Sequence, residues 1–380
     1  MLIMIDLHKP LINKNSKKYI NQCLNESYIS TSGNFVTKFE DSIKKITNSK
    51  YAIAVNSGSS ALYLSLKLSN AKEGDEVLVQ TLTFISPINA IKQNYLSPIF
   101  MDVDRNFNID QDKVIKFIEN NTYFKNGKTI NKITKKTISV VMIVHIYGVP
   151  ANFDKLQNLC KKRNIDIIED AAESLGSKYK LGKFKNKHVG TIGKFGCVSF
   201  NANKIITTAS GGMILTQKKH LAKKVKYLST TAKDDPIQFI HNQSGYNLRL
   251  NNICAAMGLS QSENFSKIII KKEKIYHFYK KNFENFKEAS IFTPPTYAIS
   301  NQWLILIKIK KSRILKVLKF LNKKNIQARP VWKLNHLQKP FLNYSNYDLY
   351  NCYKMQSEYL CLPSSYDLKP YEINKICKFI

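Results

Sequence analysis

The sequence predicts an α/β fold, with a mainly parallel sheet between helices in a large domain and a smaller C-terminal α+β domain after it. Three observations predict this. Short β-branched apolar runs alternate with helical patterns through most of the chain, and past about Asn264 the texture changes to helices rich in Lys and aromatics. The length, 380 residues, exceeds the size at which one core usually stops growing.

The elements follow in order. NKNSKKYINQCLN and VTKFEDSIKKIT carry helical periodicity, and in YAIAVNSGSSALYLSLKLS a strand meets a small-residue turn and then a helix. EGDEVLVQTLTF reads as a strand, SPINAIKQN as a helix and PIFMDVD as a strand. ISVVMIVHIYG, NFDKLQNLCKKRN and IDIIEDAAES continue as strand, helix, strand. A long helix starts near Asn252 and holds the domain boundary, drawn at 1–260 and 261–380; NQWLILIKIK follows as a strand. No internal repeat and no Pro/Ser/Gly linker interrupts the chain, so the two domains are expected to pack as one rigid body.

Composition narrows the class. At 43% hydrophobic and 23% charged, with 14 Gly and 11 Pro, the chain is an ordinary packed globule. The opening MLIMIDLHKPL lacks a basic n-region and a cleavage site, and no apolar run approaches the roughly 20 residues of a membrane helix. The expectation is a cytoplasmic protein without a membrane partner. Seven cysteines, odd in number and without a C-x-x-C pair, read as reduced thiols packed as small hydrophobes. The net charge of +32 invites a nucleic-acid reading, but the lysines are spread through every segment and no nucleic-acid-binding signature accompanies them. In KKSRILKVLKFLNKKN, Ser312 is expected to cap a helix whose Ile314, Val317, Leu318 and Leu321 form one stripe, with lysines on the solvated side.

Four clusters sit where strands give way to loops: Asn56 to Ser60, Thr81 to Phe84, Asp170 to Glu173 and Ser199 to Lys204. Ligands of α/β sheets collect at the carboxyl ends of strands. NSGSSAL places hydroxyls and backbone N–H groups at the first turn of a helix, which favours a phosphate, although Ser at such a turn is more often only a cap. Ser199 can add a hydroxyl to the same anion. A buried Asp170 needs a cationic partner or it protonates. Lys204, desolvated, becomes a nucleophile toward carbonyls, and Phe84 offers a flat face. Each residue alone has a plain structural reading; together they are what pyridoxal phosphate requires.

These residues also carry a resemblance. NSGSSALYLSLKLSNAKEGDEVLVQTLTF, EDAAESLGSKYKLGKFKNKHVGTIGKFGCVSFNANKIITTASGGMILT, GYNLRLNNICAAMGLSQSE, RPVWKLNHLQ and CLPSS resemble the nucleotide-sugar aminotransferases of the DegT/DnrJ/EryC1/StrS family, fold type I pyridoxal-phosphate enzymes, from about Tyr28 to the C-terminus. The resemblance implies that Lys204 holds the cofactor as an imine and, once displaced, moves the proton. It makes Asp170 the partner of the pyridine nitrogen, Phe84 the stacking aromatic, and Gly58, Ser59 and Ser199 the phosphate site, with Ser60 and Asn201 as further cofactor contacts. Asn247 matches an asparagine that reaches the neighbouring subunit's phosphate site, which implies a homodimer with shared sites.

Two departures stand out. Glu173 occupies a position where many members carry Gln, beside the cofactor's phenolic oxygen, where an ionised carboxylate accepts but cannot donate. TTASGG replaces the more frequent Thr-Thr-Gly-Glu-Gly-Gly, which removes an acid and is expected to loosen the loop. Some relatives that dehydrate sugars carry His where this chain has Lys204, so transamination is the expected reaction, with glutamate as donor and a keto-sugar nucleotide as acceptor. RPVWKLNHLQ looks most like enzymes that aminate C4 of UDP-2-acetamido-4-keto-6-deoxyhexoses for surface glycans or lipopolysaccharide, which would put Arg329 on the diphosphate, Trp332 on a base or sugar face and His336 in a hydrogen bond. Trp332 reads equally as interdomain core. Other readings stay open: a GDP- or dTDP-linked 4-keto sugar, a 3-keto sugar, a non-nucleotide keto substrate, or a basic binding protein that kept the fold. No metal site is expected.

Overall fold

A computed structural model describes residues 4–380; the first three residues of the apolar opening lie outside it. The central sheet has eight strands in the order Tyr51–Val55, Gly212–Thr216, Phe195–Ser199, Asp166–Asp170, Ile138–Val144, Glu76–Gln80, Ser97–Met101, Asn346–Tyr347. Every neighbouring pair is parallel except the two made by Gly212–Thr216. The sheet is parallel because both its faces are covered. Ile138–Val144 is buried at all seven positions and Glu76–Gln80 at all five, and their interiors, Val140–Val144 and Val77–Val79, are apolar throughout. Successive residues point to opposite faces: Val141 and Ile143 join one core, Val140 and Met142 the other.

Helices supply the outer layers. Asn34–Thr47, Gln111–Asn121 and Asp154–Lys162 bury Phe39, Phe117 and Leu156 in the first core, while Gly58–Lys67, Ser86–Gln93 and Lys219–Ser229 bury Leu62, Ile91 and Val225 in the second. A third core lies under the C-terminal sheet Ala289–Ile291, Ile305–Ile309, Tyr359–Leu362 and Arg329–Pro330, closed by the helices Phe265–Asn282, Lys311–Lys323 and Pro370–Lys378. Among the described residues no helix is long and apolar enough to cross a membrane. All seven cysteines are free, and all but Cys254 are buried.

The structure departs from the sequence reading in four places. The helix expected to run on from Asn252 ends at Ser262 and a second starts at Phe265. Ser312 is not the cap of its helix, which begins at Lys311 with Lys310 as N-cap and no side-chain cap; of the expected stripe, Ile314, Val317 and Leu321 are buried and Leu318 is partly buried against the same core. A hairpin, Thr122–Lys125 with Lys128–Asn131, was not anticipated, although its turn is Asn126-Gly127, both with positive φ (50° and 74°), the favoured two-residue hairpin turn. The chain also crosses the 260/261 boundary. Asn346–Tyr347 extends the central sheet beside Ser97–Met101, and Asp102 accepts the backbone N–H groups of Tyr350, Asn351 and Cys352 while pairing with Lys113 at 2.7 Å.

Candidate active site

The strands Tyr51–Val55, Glu76–Gln80, Asp166–Asp170 and Phe195–Ser199 run in one direction, so their carboxyl ends meet along one edge of the central sheet. They surround a cavity of about 290 Å³. Nine of the thirteen expected site residues line it: Gly58, Ser59, Phe84, Asp170, Glu173, Ser199, Asn201, Lys204 and Trp332.

Lys204 follows the strand Phe195–Ser199 in a loop tied back on itself: the Lys204 N–H donates to the Asn201 carbonyl, and the Thr207 hydroxyl and Thr208 N–H both donate to the Phe200 carbonyl. Its Nζ lies 3.6 Å from Glu173 Oε1 and 4.1 Å from the centroid of the Trp303 ring. Glu173 is buried, and its Oε2 accepts the Tyr147 N–H at 2.7 Å. That bond holds Tyr147 in a left-handed conformation, φ 53°. Burial pushes the Glu173 carboxyl above its ordinary range, and Lys204 and the Tyr147 N–H oppose the shift.

Asp170 is buried at the end of its strand, where its Oδ1 accepts the Ala172 N–H at 3.0 Å. Burial pushes its pKa up to about 7; the Ala172 N–H and Lys204 work against the rise and Glu173 adds to it. The floor behind Asp170 is rigid. Glu169 accepts N–H groups from Gly190, Ile192 and Gly193 and meets His145 Nε2 at 2.9 Å. Because the Ala151 N–H donates to His145 Nδ1, the ring proton is on Nε2 and points at Glu169.

The other end of the cavity is built for an anion. Ser57 caps the helix Gly58–Lys67, accepting the Ser60 N–H, and leaves the N–H groups of the first turn at the positive end of the helix dipole. Gly58 is required here, because a Cβ would stand 2.7 Å from the Ser199 Cβ. Ser59, Ser86, Ser199 and Ser210 bring hydroxyls to the same end. This donor set fits the phosphate of the cofactor implied by the sequence, and the buried acid of Asp170 fits its ring nitrogen.

An aromatic row forms one wall. Tyr147 stacks between Trp303, at 6.4 Å, and Trp332, at 6.0 Å, each at an 18° interplanar angle. Phe84, half exposed, packs 5.3 Å from Trp332. The Trp332 N–H of the backbone donates to the Tyr147 hydroxyl, whereas its indole Nε1 is buried without a partner.

Four expected residues lie elsewhere. Ser60 turns into the helix cap, its hydroxyl donating to Asn56 Oδ1 at 2.6 Å. Asn247 is exposed, and its Oδ1 accepts from the Arg249 guanidinium at 3.1 and 3.2 Å. Arg329 is exposed on a strand paired to Tyr359–Leu362, outside the cavity lining. His336 is buried behind the wall, with its ring nitrogens on Thr81 Oγ1 at 2.7 Å and Tyr353 OH at 2.8 Å. Trp303, Tyr147, Ser86 and Ser210 were not anticipated as parts of the site. In the turn TTASGG, Ser210 stands where the acid is missing, and its Oγ donates to the Asn56 carbonyl at 2.9 Å.

Residues 10–380 match the DegT/DnrJ/EryC1/StrS aminotransferase family. GDP-perosamine synthase of Escherichia coli O157:H7 is 36% identical over 330 residues, 86% of this chain and 84% of that protein. UDP-4-amino-4,6-dideoxy-N-acetyl-beta-L-altrosamine transaminase of Campylobacter jejuni subsp. jejuni serotype O:23/36 (strain 81-176) is 31% identical over 284 residues, 73% of this chain and 69% of that one. The solved structure of Helicobacter pylori PseC, an aminotransferase involved in the biosynthesis of pseudoaminic acid, shares the fold with a TM-score of 0.88 at 23% identity, covering 99% of this chain and 98% of its own. The chain belongs to the DegT/DnrJ/EryC1/StrS aminotransferase family and is a pyridoxal-phosphate-dependent sugar aminotransferase.

Proposed function

We propose that this enzyme moves the amino group of glutamate to C4 of a nucleotide-linked 4-keto-6-deoxyhexose, with Lys204 and Asp170 as its catalytic residues. The observation that carries the proposal is the convergence of Lys204, Asp170 and Glu173 in one cavity whose far end is an anion cradle. Pyridoxal phosphate, when bound, supplies an electron sink for charge that develops at the amino-bearing carbon. Gly58, Ser59 and Ser199 hold its phosphate, Phe84 covers its ring, and Asn201 is a further contact at the rim. Asp170 sets the protonation of the ring nitrogen, and Lys204 Nζ takes and returns the proton at the reacting carbon.

Trp332 is the substrate contact the cavity supports, since it lines the wall beside Phe84. The run RPVWKLNHLQ favours a UDP-linked 2-acetamido sugar as acceptor. With Arg329 and His336 outside the cavity lining, that choice loses two of its three contacts. A GDP-linked sugar is the second reading, favoured by the 36% identical GDP-perosamine synthase. The working unit is a homodimer in which Asn247 serves the neighbouring site. The test is to incubate the protein with glutamate and UDP-, GDP- and dTDP-linked 4-keto and 3-keto sugars, and to identify the product by mass and NMR. Amination at C4 of one of them is expected, and Lys204→Ala should abolish it while leaving the fold intact. Amination at C3, or of none of them, would overturn the proposal.

A further inference from the structure

We propose that Trp303 is a positioning residue for Lys204, and that the buried Lys272 and Asn301 hold Trp303 in place for it. The proposal rests on reading Lys204 as the reacting amine. Trp303 presents the face of its ring to Lys204, with Nζ 4.1 Å from the centroid. A charged amine over an indole face is attracted by the ring quadrupole, and the attraction is stronger where water is excluded. Trp303 is 1% exposed.

Every polar group of Trp303 is tied down. Its indole N–H donates to the carbonyl of Asn203, the residue before Lys204, at 2.6 Å. Its backbone N–H donates to Asn301 Oδ1 at 2.9 Å, and its carbonyl accepts from Lys272 Nζ at 2.8 Å and Ser364 Oγ at 2.7 Å. Asn301 does two jobs: its Nδ2 also donates to the Glu173 carbonyl at 2.9 Å. The two groups that flank the Lys204 amine, the Glu173 carboxylate and the Trp303 ring, are therefore referenced to one buried amide.

Lys272 closes the clamp from the helix Phe265–Asn282. It is 1% exposed, and among the described residues its Nζ bonds neutral oxygens alone: the Trp303 carbonyl and the carbonyl and hydroxyl of Ser364. An amine buried with no carboxylate beside it is an expensive way to fill space, and burial pushes its pKa well below the ordinary 10.5. An apolar side chain would pack there at lower cost. What an apolar side chain lacks is the donor that fixes the Trp303 carbonyl and joins the third core to the Lys204 loop.

Competitive acetylation of the full-length chain tests this. Lys204 labelling is read by peptide mass spectrometry against the exposed Lys125, with and without pyridoxal phosphate. Without cofactor, Trp303→Leu should raise Lys204 labelling about threefold or more, since the ring no longer holds the amine, and Trp303→Phe, which keeps a ring but loses the indole N–H, should raise it less. Lys272→Met should move Lys204 in the same direction, and Lys272→Arg, which restores a donor, should return it toward wild type. An unchanged Lys204 to Lys125 ratio in folded Trp303→Leu overturns the role of Trp303; an unchanged ratio in folded Lys272→Met overturns that of Lys272. Where Leu prevents folding, Trp303→Phe decides by the same ratio, and where Met prevents folding, Lys272→Leu, a second replacement without a donor, decides in its place. Protection of wild-type Lys204 by pyridoxal phosphate reports separately on the proposed function: its absence sinks the reading of Lys204 without touching the labelling comparison.

Discussion

Glu173 stands between Lys204 and Tyr147, with one carboxylate oxygen 3.6 Å from the lysine amine and the other accepting the tyrosine backbone N–H at 2.7 Å. The acid where many relatives have an amide thus has two partners that want an acceptor. An amide can serve Tyr147 as well as a carboxylate does, but it carries no charge for Lys204.

Glu173→Gln should therefore keep the fold and retain transamination, with its melting temperature near that of wild type. Glu173→Ala should cost about 1–3 kcal/mol, because it leaves the buried Tyr147 N–H without an acceptor. Thermal unfolding of the two variants side by side checks this; equal losses would mean that the Tyr147 bond does not hold the loop.

Asp170 gives a pH signature in the cofactor-free protein. Burial raises its pKa from an ordinary 3.8 to about 7. Between those values the native state keeps a proton that the unfolded chain has released, so stability falls as pH rises across the window. The stabilising share of Asp170 is full below about pH 4 and gone above about pH 7. In Asp170→Asn nothing titrates, so its stability relative to wild type should climb from pH 4 to pH 7 and then level, by at most about 4 kcal/mol. Urea midpoints at four pH values show it; a gap that stays constant would place Asp170 in a more solvated setting. Activity should fall by orders of magnitude in the same variant, since the amide offers no charge to the ring nitrogen.

The parts of this site that were legible in the sequence are those written by strand ends. A strand covered on both faces is mostly apolar, so a polar residue at its carboxyl end, Asp170 or Ser199, stands out, although the buried Glu169 just before Asp170 shows that the mark is not exclusive. Trp303 and Tyr147 carry no such mark. Trp303 precedes the strand Ile305–Ile309 of the other sheet but is buried in the first core, so only long-range packing brings it to Lys204, and Tyr147 has a left-handed backbone whose N–H Glu173 accepts. RPVWKLNHLQ divides between cavity and surroundings for a related reason. Val331 and Leu334 are buried and anchor the run, which leaves Trp332 at the cavity while Arg329 goes to a sheet edge and His336 to Thr81. A row of polar residues does not say which of them faces the ligand when the backbone between them bends.

Ala209 records the altered turn in its backbone. In TTASGG its φ is 64°, in the region that L side chains rarely adopt. Ala209→Gly should relieve that strain and leave the Thr207 Oγ1 bond to the residue 209 N–H intact. A net gain of about 0.5–1 kcal/mol is expected after the extra freedom of glycine in the unfolded chain is counted. Chemical denaturation measures it, and a loss of stability would show that the loop accommodates alanine without strain.

The shared site gives the last prediction. Within its own chain the Asn247 side chain is exposed and accepts from the Arg249 guanidinium, at the end of a loop in which Ile237, Phe239 and Ile240 are exposed as well. An exposed amide whose Nδ2 has no hydrogen-bond partner among the described residues, on a loop that also exposes apolar side chains, fits a loop that crosses a two-fold axis to complete the anion cradle of the other subunit. Each active site would then draw Lys204 from one chain and Asn247 from the other. Lys204→Ala and Asn247→Asp should each be inactive alone. In a mixed dimer both lesions fall in one site and the second site is whole, so activity should return toward half that of a wild-type dimer. The measurement is turnover after subunit exchange confirmed by native mass spectrometry. Two dead variants that stay dead when mixed would put Asn247 in its own subunit's site, because a lesion confined to one chain's site leaves no intact site in the mixture.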